Sequence, residues 1–240
     1  MNYKPYKNLN NSKKEQMITM FNRIAETYDR LNGLITFGMD KKWRKRAAKM
    51  IASNHPTAIL DVGTGTGALA IDLAKYSSAK VVGIDISKEM LAIGKEKIKH
   101  LKLDHLITIK LDDAEALSFD SNTFDAIGVG FGVRNFDNLN QGLSELYRVL
   151  KPGGQLVILE TSVPKYFPLK QGYYLYSHWI IPILGGIFSR DKLAYEYLSD
   201  SASIFPHGKN FNSILKENGF INVKDNPQML GIVTIYAAFK

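Results

Sequence analysis

Cysteine is absent from this chain of 240 residues. A disulfide framework, a thiolate metal site and a cysteine nucleophile are thereby excluded. The absence fits a reducing compartment, and a cytoplasmic protein is expected. No apolar run reaches the length needed to span a bilayer. The stretch from Met1 to Lys14 is polar and basic and lacks the apolar centre of a secretory signal. There is no Pro-, Gly- or Ser-rich linker, no low-complexity tract and no internal repeat. The length suits one large α/β domain and would be cramped for two. No metal site is expected.

Acidic residues are in deficit: 23 Asp and Glu stand against 31 Lys and Arg, a formal charge of +8. Such a surplus points to an anionic surface, either nucleic acid or lipid headgroups. Much of it falls in one predicted helix, about 40–52, through Lys41, Lys42, Arg44, Lys45, Arg46 and Lys49.

Before that helix, Met17, Met20, Phe21, Ile24 and Tyr28 recur at helical spacing and predict a helix over 13–30. After it, short apolar runs alternate with helical patterns. Strands are expected at 58–62, 80–85, 106–110, 124–129 and 155–160, and helices at 68–76, 88–101 and 138–150. This alternation argues for a mostly parallel sheet covered on both faces. Two final strands, 221–224 and 231–239, have only Asn226-Pro227 between them and should pair antiparallel at one edge. The fold expected is a Rossmann-like seven-stranded α/β sheet.

The chemistry begins at Asp61-Val62-Gly63-Thr64-Gly65-Thr66-Gly67, between a strand and a helix. Glycines at alternate positions let the backbone turn tightly and approach a ligand, and a helix N-terminus follows. Asp85, followed by Ile86, ends the second strand, where a carboxylate can accept from both hydroxyls of a ribose. Ser87 is the better helix cap. The Gly-x-Gly-x-Gly spacing differs from the Gly-x-Gly-x-x-Gly of dinucleotide sites, which disfavours a nicotinamide oxidoreductase. After the third strand, Asp113 and Ala114 in the run Asp112 to Leu117 could hold an adenine edge.

These elements, with Lys151-Pro152-Gly153-Gly154, resemble class I S-adenosylmethionine-dependent methyltransferases. Met20 to Asn32 is similar to the N-terminal signature of the demethylmenaquinone and ubiquinone-precursor C-methyltransferases. Phe131-Gly132-Val133-Arg134-Asn135 resembles their second signature, and Tyr195-Glu196-Tyr197-Leu198 with Phe205-Pro206 their late segment. The similarity runs from about residue 17 to 240. It implies S-adenosylmethionine as cofactor, with contacts at Asp61, Gly63, Gly65, Thr66, Gly67, Asp85, Ile86, Asp113 and Ala114. Two positions depart from the family: Gly130 stands where a serine is common, and Asp40 where a histidine is frequent.

The resemblance implies methyl transfer to a ring carbon of a prenylated quinol, demethylmenaquinol first and the ubiquinone precursor second. The attacking carbon must be made electron-rich by ionising a neighbouring hydroxyl, which fixed positive charge or a base would favour. Arg134 is assigned to the oxyanion and Asn135 to the ring oxygen, because they follow the fourth strand at the carboxyl edge of the sheet. Tyr28 and Asp29 could close over the cofactor or move a proton; His178 and His207 are alternative bases. Residues 1–52 are expected as a helical cap and 161–210 as an insertion. Within the insertion, the aromatic stretch 166–188 reads as a lid, a membrane contact or a dimer face. Peripheral contact with anionic lipid at the inner face of the membrane is expected, through this stretch and the basic helix with Trp43. A homodimer and no nucleic-acid partner are expected: the Asn/Asp-Pro-Pro-aromatic motif of base N-methylation is missing after strand four. The rival readings are a methyltransferase of another small molecule or sterol and a non-catalytic nucleoside-binding protein.

Overall fold

Short β-branched and aliphatic runs, apolar on both faces, build the centre of the sheet, as buried parallel strands require. These are β1 (Ala58–Val62), β2 (Lys80–Asp85), β3 (Ile107–Leu111), β4 (Phe124–Gly130) and β5 (Leu150–Thr161). Two later strands, β6 (Ile221–Gln228) and β7 (Val233–Phe239), complete seven in the order β3-β2-β1-β4-β5-β7-β6. β1 to β5 pair parallel, whereas β7 runs antiparallel to both β5 and β6. The computed structural model describes residues 3–6, 10–189 and 191–240.

Asn226-Pro227 does not link the last two strands. Both residues belong to β6, where Pro227 pairs with Thr234. An edge strand tolerates a proline because only one of its sides needs ladder hydrogen bonds. The link is a 3-10 turn, Met229–Gly231, in which Met229 and Leu230 hold left-handed φ values of 45° and 57°.

α1 (Lys13–Ile35) starts at a capping box: Glu15 N–H donates to Ser12 Oγ (3.2 Å), and Ser12 N–H to the Glu15 carboxylate (2.9 Å). It runs five residues beyond the expected end, because Leu31 and Ile35 prolong its apolar stripe. Met17, Met20 and Ile24 are fully buried, each worth about 1.5–3 kcal/mol. They hold α1 across the carboxyl end of the sheet, against α4 (Lys88–His100) and α7 (Ile181–Ser189).

α2 (Met39–Ala52) behaves differently. Trp43, Ala47 and Ile51 recur every four residues, face the sheet and are buried beside α3 (Ala68–Ser77). The expectation that Trp43 contributes to a membrane surface is therefore corrected: it is a core residue, 4% exposed. Only the lysines of α2 and Arg46 point outward. On the other face of the sheet, α5 (Leu139–Val149) and α9 (Lys209–Glu217) bury Leu143, Leu146, Phe211 and Leu215. Between β5 and β6 the insertion contains α6 (Leu169–Leu175), a π-helical turn (Tyr176–Ile180), α7 and α8 (Lys192–Ile204). No helix among the described residues is long and apolar enough to cross a membrane.

Candidate active site

The loop after β1 carries Gly63, Gly65 and Gly67 at φ of 66°, 54° and 78°, a region side chains disfavour. Thr64 N–H donates to the Ile84 carbonyl (2.9 Å), tying the loop to β2. A Cβ on Gly94 of α4 would lie 3.2 Å from the Thr66 carbonyl carbon, so α4 approaches the loop as closely as a glycine allows. The loop has two sides. Gly63 and Gly65 face a cavity, while Asp61, Thr66 and Gly67 are not on its wall. Asp61 accepts from Thr64 Oγ1 (2.6 Å), and burial pushes its carboxyl up to about 7. Thr66 Oγ1 donates to Asp29 (2.7 Å), whose other oxygen pairs with Lys97 of α4. Asp29 thus latches α1 to the loop; it too stands off the cavity wall.

The cavity holds about 750 Å³ of empty space, counting its open mouth. Asp85 accepts from Gly65 N–H at 2.8 Å and Ser87 N–H at 2.9 Å. Burial raises its carboxyl above the ordinary value. Each carboxylate oxygen has a second lone pair, which leaves acceptors for two ribose hydroxyls. Ser87 caps α4 by accepting from Met90 N–H (3.2 Å). Ile86, Met90, Met17 and Phe21 make an apolar slot beside Asp113 and Ala114. Lys14 reaches down from α1 to Asp113 (2.6 Å) and Glu115 (3.7 Å).

Among the described residues, five carboxylates line this cavity, Asp85, Asp112, Asp113, Glu115 and Asp137, and Lys14 is the one cation on its wall. Such a wall repels the pyrophosphate of a dinucleotide and attracts a cationic sulfonium nucleoside. The residues therefore fit S-adenosylmethionine, and they fit NAD poorly.

The second signature sits at the carboxyl end of β4. Phe131 holds a left-handed φ of 58°, a strained state for a bulky residue. Its carbonyl accepts from Arg134 Nη1 (2.9 Å) and Asn135 Nδ2 (3.4 Å). Asn135 lines the cavity, and Arg134 lies behind it, buried, with Nη1 2.5 Å from Glu160 Oε1 at the end of β5. Burial opposes the guanidinium charge, but Glu160, Tyr28 and Tyr197 together outweigh that effect, so the Arg134 pKa is raised.

Three phenols surround the pair: Tyr28 from α1, Tyr173 from α6 and Tyr197 from α8. Burial raises all three, Tyr197 to about 12, so they remain hydrogen-bond donors at neutral pH. Tyr197 Oη donates to Asn135 Oδ1 (3.3 Å). A second, open cavity is lined by Val163, Lys170, Gln171, Tyr173, Tyr174, Leu175 and Ser203. Tyr173 therefore belongs both to that wall and to the neighbourhood of Arg134.

Glu160 joins the site without belonging to any of the sequence motifs. Its signal is available: an acidic residue ends the apolar run Leu156–Leu159 just as Asp85 ends β2. His178 and His207 line neither cavity. His178 stacks on Tyr174 with Nε2 3.5 Å from Asp200, and His207 contacts the Phe205 carbonyl at 3.3 Å.

A sheet with β7 inserted antiparallel, a glycine loop and an acidic nucleoside cavity at its carboxyl edge define a class I S-adenosylmethionine-dependent methyltransferase. A methyltransferase of that cofactor class from Thermotoga maritima shares the fold, with a TM-score of 0.61, 17% identity and coverage of 92% of this chain and 99% of that one. The chain belongs to the ubiE/COQ5 methyltransferase family, whose model matches residues 9–240. Demethylmenaquinone methyltransferase of Bacteroides fragilis is 43% identical over 246 residues, covering 100% of both chains. Ubiquinone/menaquinone biosynthesis C-methyltransferase UbiE of Geobacter sulfurreducens is 40% identical over 95% of this chain and 90% of its own.

Proposed function

We propose that this protein methylates a ring carbon of a prenylated quinol, converting demethylmenaquinol to menaquinol at the inner face of the cell membrane. The observation that carries this reading is a meeting of two environments. The acidic cavity suits a sulfonium cofactor, and at its end stand Asn135 and the buried Arg134 among three phenols. The name of the Geobacter sulfurreducens relative supports a ubiquinone precursor as a second acceptor.

S-adenosylmethionine, when bound, supplies an electrophilic methyl group on a sulfonium. Asp85 would hold its ribose, and Asp113 with the backbone of Ala114 its adenine. Gly63 and Gly65 let the backbone come close. Asp61, Thr66, Gly67 and Asp29 serve by fixing the loop from behind. A neutral aromatic carbon is a weak nucleophile, so the ring hydroxyl first loses its proton to water; after the carbon takes the methyl group, its own hydrogen leaves as a proton to water and the ring becomes aromatic again. The Arg134 charge lowers the cost of the resulting oxyanion, while Asn135 and the Tyr197 and Tyr28 phenols orient the ring. The cavity beside Tyr173 receives the start of the prenyl chain, and the 161–210 insertion covers it.

The test is incubation with labelled S-adenosylmethionine and either reduced demethylmenaquinone, reduced ubiquinone precursor or a sterol. Label on the ring carbon of a quinol is the expected result. Label confined to the sterol, or none on either quinol, refutes the reading.

A further inference from the structure

The helical segment 169–189 carries more large apolar side chains outward than inward. Its fully buried positions are small or ring-closed residues, Ser177, Pro182 and Gly185, with Ile181 and Leu184 half-buried beside them. A Cβ on Gly185 would lie 2.4 Å from the fully buried Tyr195 ring, so the backbone itself packs on α8. Its outer side carries Leu175, Trp179, Ile183 and Ile187, 54–66% exposed. These recur every fourth residue and form one stripe. A water-facing helix has the opposite arrangement.

The stripe does not stand alone. Tyr166 and Phe167, just before α6, are 75% and 80% exposed. Phe37, at the corner between α1 and α2, is 79% exposed, holds a left-handed φ of 51°, and its ring centroid lies 6.3 Å from that of Tyr176. Tyr176 Oη donates to the Ile35 carbonyl (2.7 Å), joining the corner to the insertion. An exposed phenylalanine in a strained conformation is costly twice over, which points to use.

Charge selects the occupant. Between Glu160 and Asp191 the chain has no acidic residue. Lys165 and Lys170 are exposed within this stretch, and Lys41 and Lys42 follow Phe37 on α2. The carboxylates of the neighbouring α8 and its N-cap, Asp191, Glu196 and Asp200, are half-buried, so an apolar stripe whose own segment carries only cations matches a bilayer with anionic headgroups.

We propose that the Leu175–Trp179–Ile183–Ile187 stripe, with Phe37 and Phe167, inserts into the apolar layer of an anionic membrane. Lys41, Lys42, Lys165 and Lys170 then meet the headgroups. The cavity lined by Tyr173 and Leu175 opens on the same segment, so a prenylated quinol reaches Arg134 without crossing water. This last step rests on the proposed quinol specificity; the insertion itself does not.

The experiment uses the full chain with vesicles of phosphatidylethanolamine and phosphatidylglycerol, and with phosphatidylcholine alone. Flotation should favour the anionic vesicles and weaken with salt. Emission from Trp179 should shift to the blue and be quenched by bromine-labelled acyl chains. The double variant Trp179→Ser/Ile187→Ser removes two large apolar contacts, each on the order of tenfold in partitioning. Vesicle affinity should fall about a hundredfold, while thermal stability and turnover of a quinol with a one-isoprene tail stay unchanged. No turnover of any quinol by the wild type would refute the proposed reaction and leave the vesicle result standing. Two results overturn insertion: binding unaffected by the double variant, or a stable dimer in solution that the variant dissociates, which would assign the stripe to a second copy of the chain.

Discussion

Replacing Glu160 by glutamine removes one charge from the interior and almost no volume. Arg134, 9% exposed, is left with its charge and no ion-pair partner among the described residues. Breaking a buried ion pair from one side costs roughly 3–5 kcal/mol. Glutamine still accepts from the Thr161 N–H, 2.8 Å away in the wild type, so the low end, about 3 kcal/mol, is expected. In a domain of this size that lowers Tm by roughly 6–12 °C. Urea unfolding and calorimetry measure the loss. Arg134→Ala should be destabilised similarly, because Glu160 is then the orphan. It should also lose on the order of 10²–10³ in kcat if the guanidinium stabilises the quinol oxyanion. Arg134→Met combined with Glu160→Met separates the two roles. Apolar replacement of both partners is often neutral or stabilising, so stability should return while turnover stays lost. Cofactor affinity should remain near normal throughout. Unchanged stability in Glu160→Gln, within about 0.5 kcal/mol, would refute the reasoning that the pair is coupled. Restored turnover in the double variant would remove Arg134 from catalysis.

Asp85→Ala deletes two acceptors for ribose and the anchor of the Gly65 N–H, so calorimetric titration should show S-adenosylmethionine affinity falling at least about tenfold. Asp61 has its carboxyl raised to about 7 by burial. Its neutral form is therefore favoured by folding, and the stability it contributes is fully present below about pH 4 and lost as pH rises through 7. Asp61→Asn should gain a few kcal/mol over the wild type at pH 8 and nothing near pH 4, read from urea unfolding at each pH. Gly185→Ala sets a helix-propensity gain of about 1 kcal/mol against overpacking of about 1–3 kcal/mol. The Tyr195 ring has nowhere to go, so the clash should win and proteolysis within 166–188 should accelerate.

Local signals carried most of the fold. The β-branched runs ending in Val62 and Asp85, the glycine loop and the Ser87 cap each declare themselves within a few residues. Phe131 to Asn135 and Asp113-Ala114 were recognisable for the same reason. What the sequence hid depends on partners far along the chain. Glu160 matters because Arg134, 26 positions earlier, folds onto it. Asp29 looked like a proton carrier, and its partners are Thr66 and Lys97. The basic neighbours of Trp43 suggest a surface position, yet its own period of four with Ala47 and Ile51 turns it to the core. Asn226-Pro227 is expected between the last two strands, but the edge strand β6 absorbs both residues.

One helix has two tenants. Lys14, Met17, Phe21 and Tyr28 of α1 roof the cofactor cavity, while the same helix packs against α7, the last turns of the outward stripe. The nucleoside chamber and the helix that carries the exposed apolar stripe therefore share a wall. A tilt of α1 that widened the first would also shift the second, and would couple release of spent cofactor to the proposed seat of the acceptor on that helix.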